Sequence, residues 1–176
     1  EKDNYLSIYL KKKYKKKTNV LIIEEDILKY NLKDYKNLII ISNLPYNIST
    51  KIILYLFNFN EHIYEMVFMI QKEMSLKFDY KLPKMNKYKF LTRVVSNYTR
   101  CFDVSSNVFF PKPKVNSTIV KFKFNKKNID FNRAIYFSTR LFKNVRKKIN
   151  NNFKINIENN ILNKRVNQLN IDELIC

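Results

Sequence analysis

The stretch LIIISNLPYNIST, residues 38–50, decides the fold. Its first half, LIIIS, is apolar and β-branched over a length that suits a strand buried in a parallel sheet. The run then breaks into Asn43-Leu44-Pro45-Tyr46. That is the carboxyl end of the strand, where open α/β sheets bind their ligands. Pro45 fixes its own φ and stiffens the turn. Ser49 is the expected N-cap of a helix over TKIILYLFNF, in which Ile52, Ile53, Leu56 and Phe57 recur at helical spacing.

On either side the same alternation continues. NVLII (19–23) reads as a second central parallel strand, running into Glu24, Glu25 and Asp26. EMVFMI (65–70) reads as a strand that leads into a helix over QKEMSLKF. Strands alternating with helices predict an α/β sheet with right-handed crossovers. Residues 3–17 predict a helix capped by Asp3, with Leu6, Tyr9 and Leu10 on one side and lysines at its C-terminal end. KFLTRVVSNY (89–98) predicts a helix, and STIVKFKF (117–124) a half-exposed strand in which Val120, Phe122 and Phe124 alternate with Ile119, Lys121 and Lys123. After a polar connector at 125–130, Phe131, Ile135, Phe142, Val145 and Ile149 lie along one amphipathic helix whose other side carries Arg140, Lys143, Arg146, Lys147 and Lys148. The expected organisation is therefore a sheet domain over 1–124 and a small helical domain over 125–176. No internal repeat is present.

Composition narrows the function classes. A chain of 176 residues with 45% hydrophobic and 15% aromatic content can bury one sizeable core and is too apolar to stay disordered. Its net charge of +19 favours polyanionic partners, nucleic acid first. No apolar run approaches the roughly 20 residues of a spanning helix, and no segment reads as a signal peptide, so a soluble protein without a membrane partner is expected. Cys101, Cys176 and His62 are too few and too scattered for a disulfide framework or a metal centre, and all three read as structural. Glycine is absent, while Asn, Lys, Ile, Tyr and Phe abound, the pattern of AT-rich codon usage. Part of the basic excess follows from that bias, so motifs rather than charge must identify the function.

Asn43-Leu44-Pro45-Tyr46 offers a specific chemistry. The lone pair of an exocyclic adenine amine is delocalised into the ring, so a catalyst must fix the amine and exclude water. The Asn43 amide oxygen and a neighbouring backbone carbonyl can accept its two N–H bonds. Tyr46 offers a flat face for an extruded base, a contact worth about 1–3 kcal/mol. Four residues alone fit an ordinary turn with a core Tyr better, and only their context favours the chemistry.

Three blocks in order, NLPYNIST (43–50), MVFMIQKEMSLKF (66–78) and NVFFPKPKVNSTIVKF (107–122), resemble the dimethyladenosine transferase family, the enzymes that methylate adenines near the end of small-subunit rRNA. The likeness covers nearly the whole chain. It implies a Rossmann-like class I methyltransferase sheet, N-terminally incomplete, with a small C-terminal helical domain. It also implies S-adenosylmethionine as cofactor, small-subunit rRNA in an immature small ribosomal subunit as partner, and dimethylation of adenine N6 in ribosome biogenesis. On the same resemblance Asn43, Leu44, Pro45 and Tyr46 match the catalytic loop. Phe109 and Phe110 match the second aromatic wall, Phe109 aligning better. Glu1, Asp26, Ile27 and Asn43 match cofactor-binding positions, Glu1 at the ribose hydroxyls and Asp26 at the adenine amine. Lys147 and its neighbours match a basic stretch expected to touch rRNA; for the lysines at 11–17 a solvated face is the better reading. Gln71 and Glu73 read equally as cleft residues or as helix caps.

The departures from the family are as informative. The family's first strand and Gly-rich loop have no counterpart in these residues, which start at the match to the end of its second strand, and poor cofactor affinity is the expectation. Lys89 stands for a family Gly, and Lys77 for an Arg, losing a bidentate fork. The rival expectation is a catalytically inactive relative, an RNA-binding ribosome-assembly or organellar factor. The compartment, nucleus and cytoplasm or an organelle, stays open within an intracellular setting.

Overall fold

The computed structural model describes residues 1–125, 129–153, 163–169 and 173. The chain divides into two compact units, Glu1–Asp34 and Tyr35–Cys176.

In the first unit, α1 (Asn4–Lys13) starts where expected, the Asp3 side chain accepting the Leu6 amide at 2.8 Å. Lys11, Lys12 and Lys13 sit in its last turn, against the negative end of the helix dipole. Its least exposed stripe runs through Ser7, Leu10 and Tyr14, and Leu6 and Tyr9 stay exposed. The stripe is thus rotated from the expected one, toward the small Ser7. Residues 19–23 do not form the expected strand. Strand-like pairing is found at the end of the run: the Glu1 amine donates to the Ile23 carbonyl at 2.8 Å, and the Glu25 amide to the Glu1 carbonyl at 2.9 Å. This is a parallel pattern one residue long, too short for a ladder, and Leu21 is exposed.

The second unit holds a sheet of four strands in the order β1-β2-β4-β3: β1 (Leu38–Asn43), β2 (Ile63–Gln71), β3 (Ser96–Val104) and β4 (Ser117–Phe124). The pair β1 and β2 is parallel and bridged by α2 (Ser49–Phe57); β4 runs antiparallel to both β2 and β3. The expectation of β1 as a central strand is corrected. It pairs only with β2 among the described residues, and one of its faces shows Ile39 at 59% and Ile41 at 76% exposure. The segment 89–98 is also not one helix. The helix α4 (Lys87–Val95) stops at Ser96, whose hydroxyl turns back to the Thr92 carbonyl, and β3 begins there, pairing Ser96 with Phe124.

The core lies on the other face of the sheet. Residues Met66, Phe68 and Ile70 of β2, with Val120, Phe122 and Phe124 of β4, point into it at period two, and Ile63 is buried beyond the register shift at the start of β2. Ile52, Ile53, Leu56 and Phe57 of α2 cover them. The Phe122 ring is the centre, meeting Phe57, Phe68, Phe78 and Tyr98 at centroid distances of 5.6, 6.3, 5.7 and 4.9 Å. Such ring pairs contribute about 0.5–1.5 kcal/mol each beyond the area they bury. Burial pushes the Tyr98 phenol above its ordinary range, and its hydroxyl donates to the Ser75 carbonyl at 2.7 Å.

The expected single helix over 131–149 is two. One, α5 (Phe131–Leu141), ends at Phe142, and α6 (Ile149–Phe153) follows a turn. Leu141 and Ile149 then share a small core with Val166 and Leu169, which one straight helix could not bring together. Through Phe137 and Phe142, whose rings lie 5.7 and 6.2 Å from that of Phe90, this part packs on α4.

With no glycine in the chain, two left-handed positions fall to Asn37 (φ 54°) and Lys84 (φ 60°). The buried Lys89 ammonium donates to the Leu82 and Pro83 carbonyls at 2.8 Å each, fastening the loop that contains Lys84.

Candidate active site

At the end of β1 the backbone stays tied to the sheet, the Leu44 amide donating to the Met69 carbonyl at 3.2 Å. Leu44 is buried and holds the turn down, while Asn43 and Pro45 are exposed. Ser49 is not the cap expected of it. Ile48 takes that position without a side-chain bond, and the Ser49 hydroxyl instead donates to the Tyr46 carbonyl at 3.2 Å. The Pro45 carbonyl accepts the Ile48 amide at 3.2 Å. Two of the loop's carbonyls are thereby engaged. Among the described residues no side chain hydrogen-bonds the Asn43 carboxamide.

This turn forms one side of a cleft of about 420 Å³, lined by Asn43, Leu44, Pro45, Tyr46 and Met69 and, opposite in sequence, by Phe109, Phe110, Pro111 and Pro113. The chain thus brings all six expected loop and aromatic residues to one place. Met69 joins them from β2, where it pairs with Asn43. Phe110 is fully exposed at 102%. No lining residue carries a carboxylate, imidazole or amine, so the cleft can orient and stack a flat group but has no strong base to offer it.

Behind the cleft lies a polar cluster that spacing did not reveal. The Tyr46 and Ser117 hydroxyls are 2.7 Å apart. Thr118 donates to Asp103 Oδ1 at 2.7 Å, and Lys72 Nζ meets Asp103 Oδ2 at 2.6 Å. The hydrogen bonds from Lys72 and Thr118 hold the Asp103 carboxyl below its ordinary range. Gln71, at the head of α3 (Lys72–Phe78), makes no side-chain cap, and Glu73 pairs with Lys77 at 3.6 Å. Among the described residues the side-chain link from this segment to the cluster is Lys72, and Gln71 joins it through the backbone, paired with Ser117.

The expected cofactor residues of the first unit stand as follows. Asp26 accepts the Leu28 amide at 3.0 Å, opening the turn that contains Ile27, and its second oxygen lies 3.0 Å from Lys2 Nζ. The Leu28 amide and Lys2 hold this carboxyl below its ordinary range, so it is an ionised acceptor. Glu1 turns its carboxylate onto the Lys2 and Asp3 amides at 2.8 and 2.9 Å.

A second cleft, also about 420 Å³, opens in the helical part between Tyr136, Arg140, Lys143, Asn144, Lys147, Asn151 and Asn152. The Arg140 guanidinium lies over the Tyr136 and Phe153 rings at 5.5 and 5.8 Å, which orders it without an acid. Three of the five expected RNA-binding cations line this cleft; Arg146 and Lys148 are exposed but do not. Sequence reasoning missed its asparagines, which carry no periodic signal. His62 Nδ1 donates to the Tyr35 carbonyl, 2.8 Å away, Cys101 is an exposed free thiol, and Cys176 lies outside the described residues. Among the described residues no group of His, Cys, Asp and Glu could hold a metal ion, and no helix is long and apolar enough to cross a membrane.

Comparison with known proteins gives a consistent result. The family model for Ribosomal RNA adenine dimethylase matches residues 1–175. Ribosomal RNA small subunit methyltransferase A of Malacoplasma penetrans is 39% identical over 162 residues, which take in 88% of this chain and 58% of that protein. The protein of the same description from Hydrogenobaculum sp. is 33% identical over 167 residues, 94% of this chain and 65% of its own length. The chain therefore spans less than two thirds of these relatives. A dimethyladenosine transferase from Plasmodium falciparum superposes with a TM-score of 0.78 at 18% identity, over 99% of this chain and 78% of its own. The 23S rRNA methyltransferase ErmE does so with 0.70 at 18% identity, over 88% and 64%. These likenesses bear out the expected α/β fold as that of the Rossmann-like rRNA methyltransferases.

Proposed function

The chain belongs to the ribosomal RNA adenine dimethylase family, and on that premise we propose that the protein dimethylates adenine N6 in small-subunit rRNA, with S-adenosylmethionine as methyl donor, during ribosome biogenesis. One observation carries the reading: the Asn43 carboxamide, with no hydrogen-bond partner among the described residues, shares a cleft with Tyr46 and Phe109.

Each residue then has a task. Tyr46 and Phe109 stack on the two faces of an extruded adenine, excluding water from it. The Asn43 amide oxygen accepts one N–H of the target amine. With the Pro45 and Tyr46 carbonyls engaged by Ile48 and Ser49, and the Leu44 carbonyl accepting no bond among the described residues, Leu44 offers the acceptor for the other. Both bonds draw the nitrogen lone pair out of the ring and aim it. S-adenosylmethionine, when bound, supplies the electrophilic methyl group. Asp26 and Glu1 offer the acceptors that a nucleoside amine and diol require, with Ile27 beside them. The proton displaced from nitrogen leaves to solvent, since no base lines the cleft. The cleft of Arg140, Lys143 and Lys147, flanked by Arg146 and Lys148, grips rRNA phosphates, which position the substrate without reading its sequence.

The test is methylation of unmethylated small ribosomal subunits by the full-length protein. Activity is expected, and Asn43→Ala should lower it by about two to three orders of magnitude, the usual cost of one preorganised polar group. Tight subunit binding with no methylation by the wild type would instead establish an RNA-binding assembly factor.

A further inference from the structure

We infer that Ser117 is a positioning residue for Tyr46, and that Asn116-Ser117-Thr118 fixes the gap between the aromatic walls of the cleft. The role builds on the adenine-methylating function proposed above. Tyr46 sits on an exposed turn, and Pro45 stiffens its backbone but leaves the ring free to rotate. The 2.7 Å hydrogen bond between its hydroxyl and that of Ser117, formed across 71 residues of sequence, fixes where the far end of the ring lies. Ser117 is a firm anchor because it is fully buried and paired on both sides, with Gln71 of β2 and Val104 of β3.

Its neighbours do the same for other parts of the site. The Asn116 side-chain oxygen accepts the Ser106 amide at 3.0 Å, and Ser106 opens the short turn that runs directly into Phe109. The Asn116 carbonyl accepts the Lys72 amide at 3.0 Å. Thr118, also fully buried, holds Asp103 at 2.7 Å and through it the Lys72 ammonium. Three consecutive residues at the start of one strand thus hold the Tyr46 ring, the base of the Phe109 loop and the start of α3. The two walls arise from loops far apart in the chain, yet both are referenced to the same rigid element. A base held between them keeps its amine in register with Asn43, where a displacement of about 1 Å can cost 100-fold in rate.

A double-mutant cycle on the full-length protein tests this. Ser117→Ala, Tyr46→Phe and the double variant are compared in methylation of small subunits, and in binding of an rRNA fragment carrying 2-aminopurine at the target adenine, whose fluorescence rises on extrusion. Each single change should lower kcat by about three- to ten-fold, with KM within about two-fold, as for one lost hydrogen bond. The double variant should be no worse than either single, because one interaction is removed once. Ser117→Thr, which keeps the hydroxyl, should retain most of the activity. If Ser117→Ala does not fold, Tyr46→Phe and Ser117→Thr carry the test. Additive effects, or singles that match the wild type, overturn the inference alone. A wild type that neither methylates nor brightens the probe overturns the function, and the inference with it.

Discussion

Two clefts of equal size, about 420 Å³ each, are lined in opposite ways. The one at the end of β1 has aromatic rings, prolines and one carboxamide, with no formal charge. The one between α5 and α6 has three cations and three asparagines, with no acid. On the proposed function the first selects a base by shape and by two hydrogen-bond acceptors, which requires its walls to be held to a fraction of an ångström. The second attracts by charge, which falls off slowly with distance and tolerates loose placement. Their supports differ in kind as well. The aromatic cleft rests on three strands of the sheet and the cluster around Ser117, whereas the basic one rests on a core of Leu141, Ile149, Val166 and Leu169. On the proposed roles, the cleft that does chemistry is the one braced by the sheet, and the one that attracts RNA is not.

This contrast can be broken by experiment. The largest effect is expected from Asn43→Ala, a loss of two to three orders of magnitude in methylation, with RNA affinity measured by filter binding left within about two-fold because no phosphate contact changes. A matching loss of affinity would show that the aromatic cleft also grips RNA. The converse is the triple change of Arg140, Lys143 and Lys147 to Gln. It should weaken RNA binding about ten-fold or more and make the slope of log affinity against log salt shallower by roughly two. The maximal rate at saturating RNA should persist. An unchanged salt slope would remove the basic cleft from the RNA path.

A smaller effect separates the clefts by pH. Lys72 and Thr118 keep the Asp103 carboxyl below its ordinary value of 3.8, so its contribution is complete above that value and is lost as pH falls through the lowered folded one. Extrusion of the 2-aminopurine base should therefore hold steady down to the region of that carboxyl's ordinary titration and fail below it, and Asp103→Asn should remove this acid limb. The basic cleft has no carboxylate, and its grip on phosphate should show no such limb over the same range. Identical acid profiles for both readouts, unaltered by Asp103→Asn, would refute the assignment.

The sequence made some of this legible. α2 and β4 follow from apolar periodicity and β2 from its apolar run, because each buries residues against the core. The composition of the aromatic cleft was readable too, through motifs whose residues are chemically specific. The change from α4 to β3 at Ser96 was not. No Gly or Pro marks it, and its cause is distant, in the pairing of Ser96 with Phe124 and the seat of Tyr98 against Phe122. The break after Leu141 escaped for the same reason, since Val166 and Leu169 impose it from beyond the helix. Residues 19–23 have strand composition, but a ladder needs a partner, and composition does not supply one. The Ser117 anchor of Tyr46 is a contact over 71 residues, invisible to any local pattern.

The corners at Asn37 and Lys84 have a practical consequence. A left-handed φ costs an ordinary side chain roughly 1–2 kcal/mol and Asn less, while a new glycine loosens the unfolded chain by about 0.4–1 kcal/mol. The two terms nearly cancel at Asn37 and leave a gain of up to about 1 kcal/mol at Lys84. Thermal denaturation should accordingly show a Tm higher by a few degrees for Lys84→Gly and no shift for Asn37→Gly; equal shifts would contradict this accounting. A polypeptide composed without its most permissive residue thus keeps, at one bend, a reserve of heat resistance that a single codon change can release.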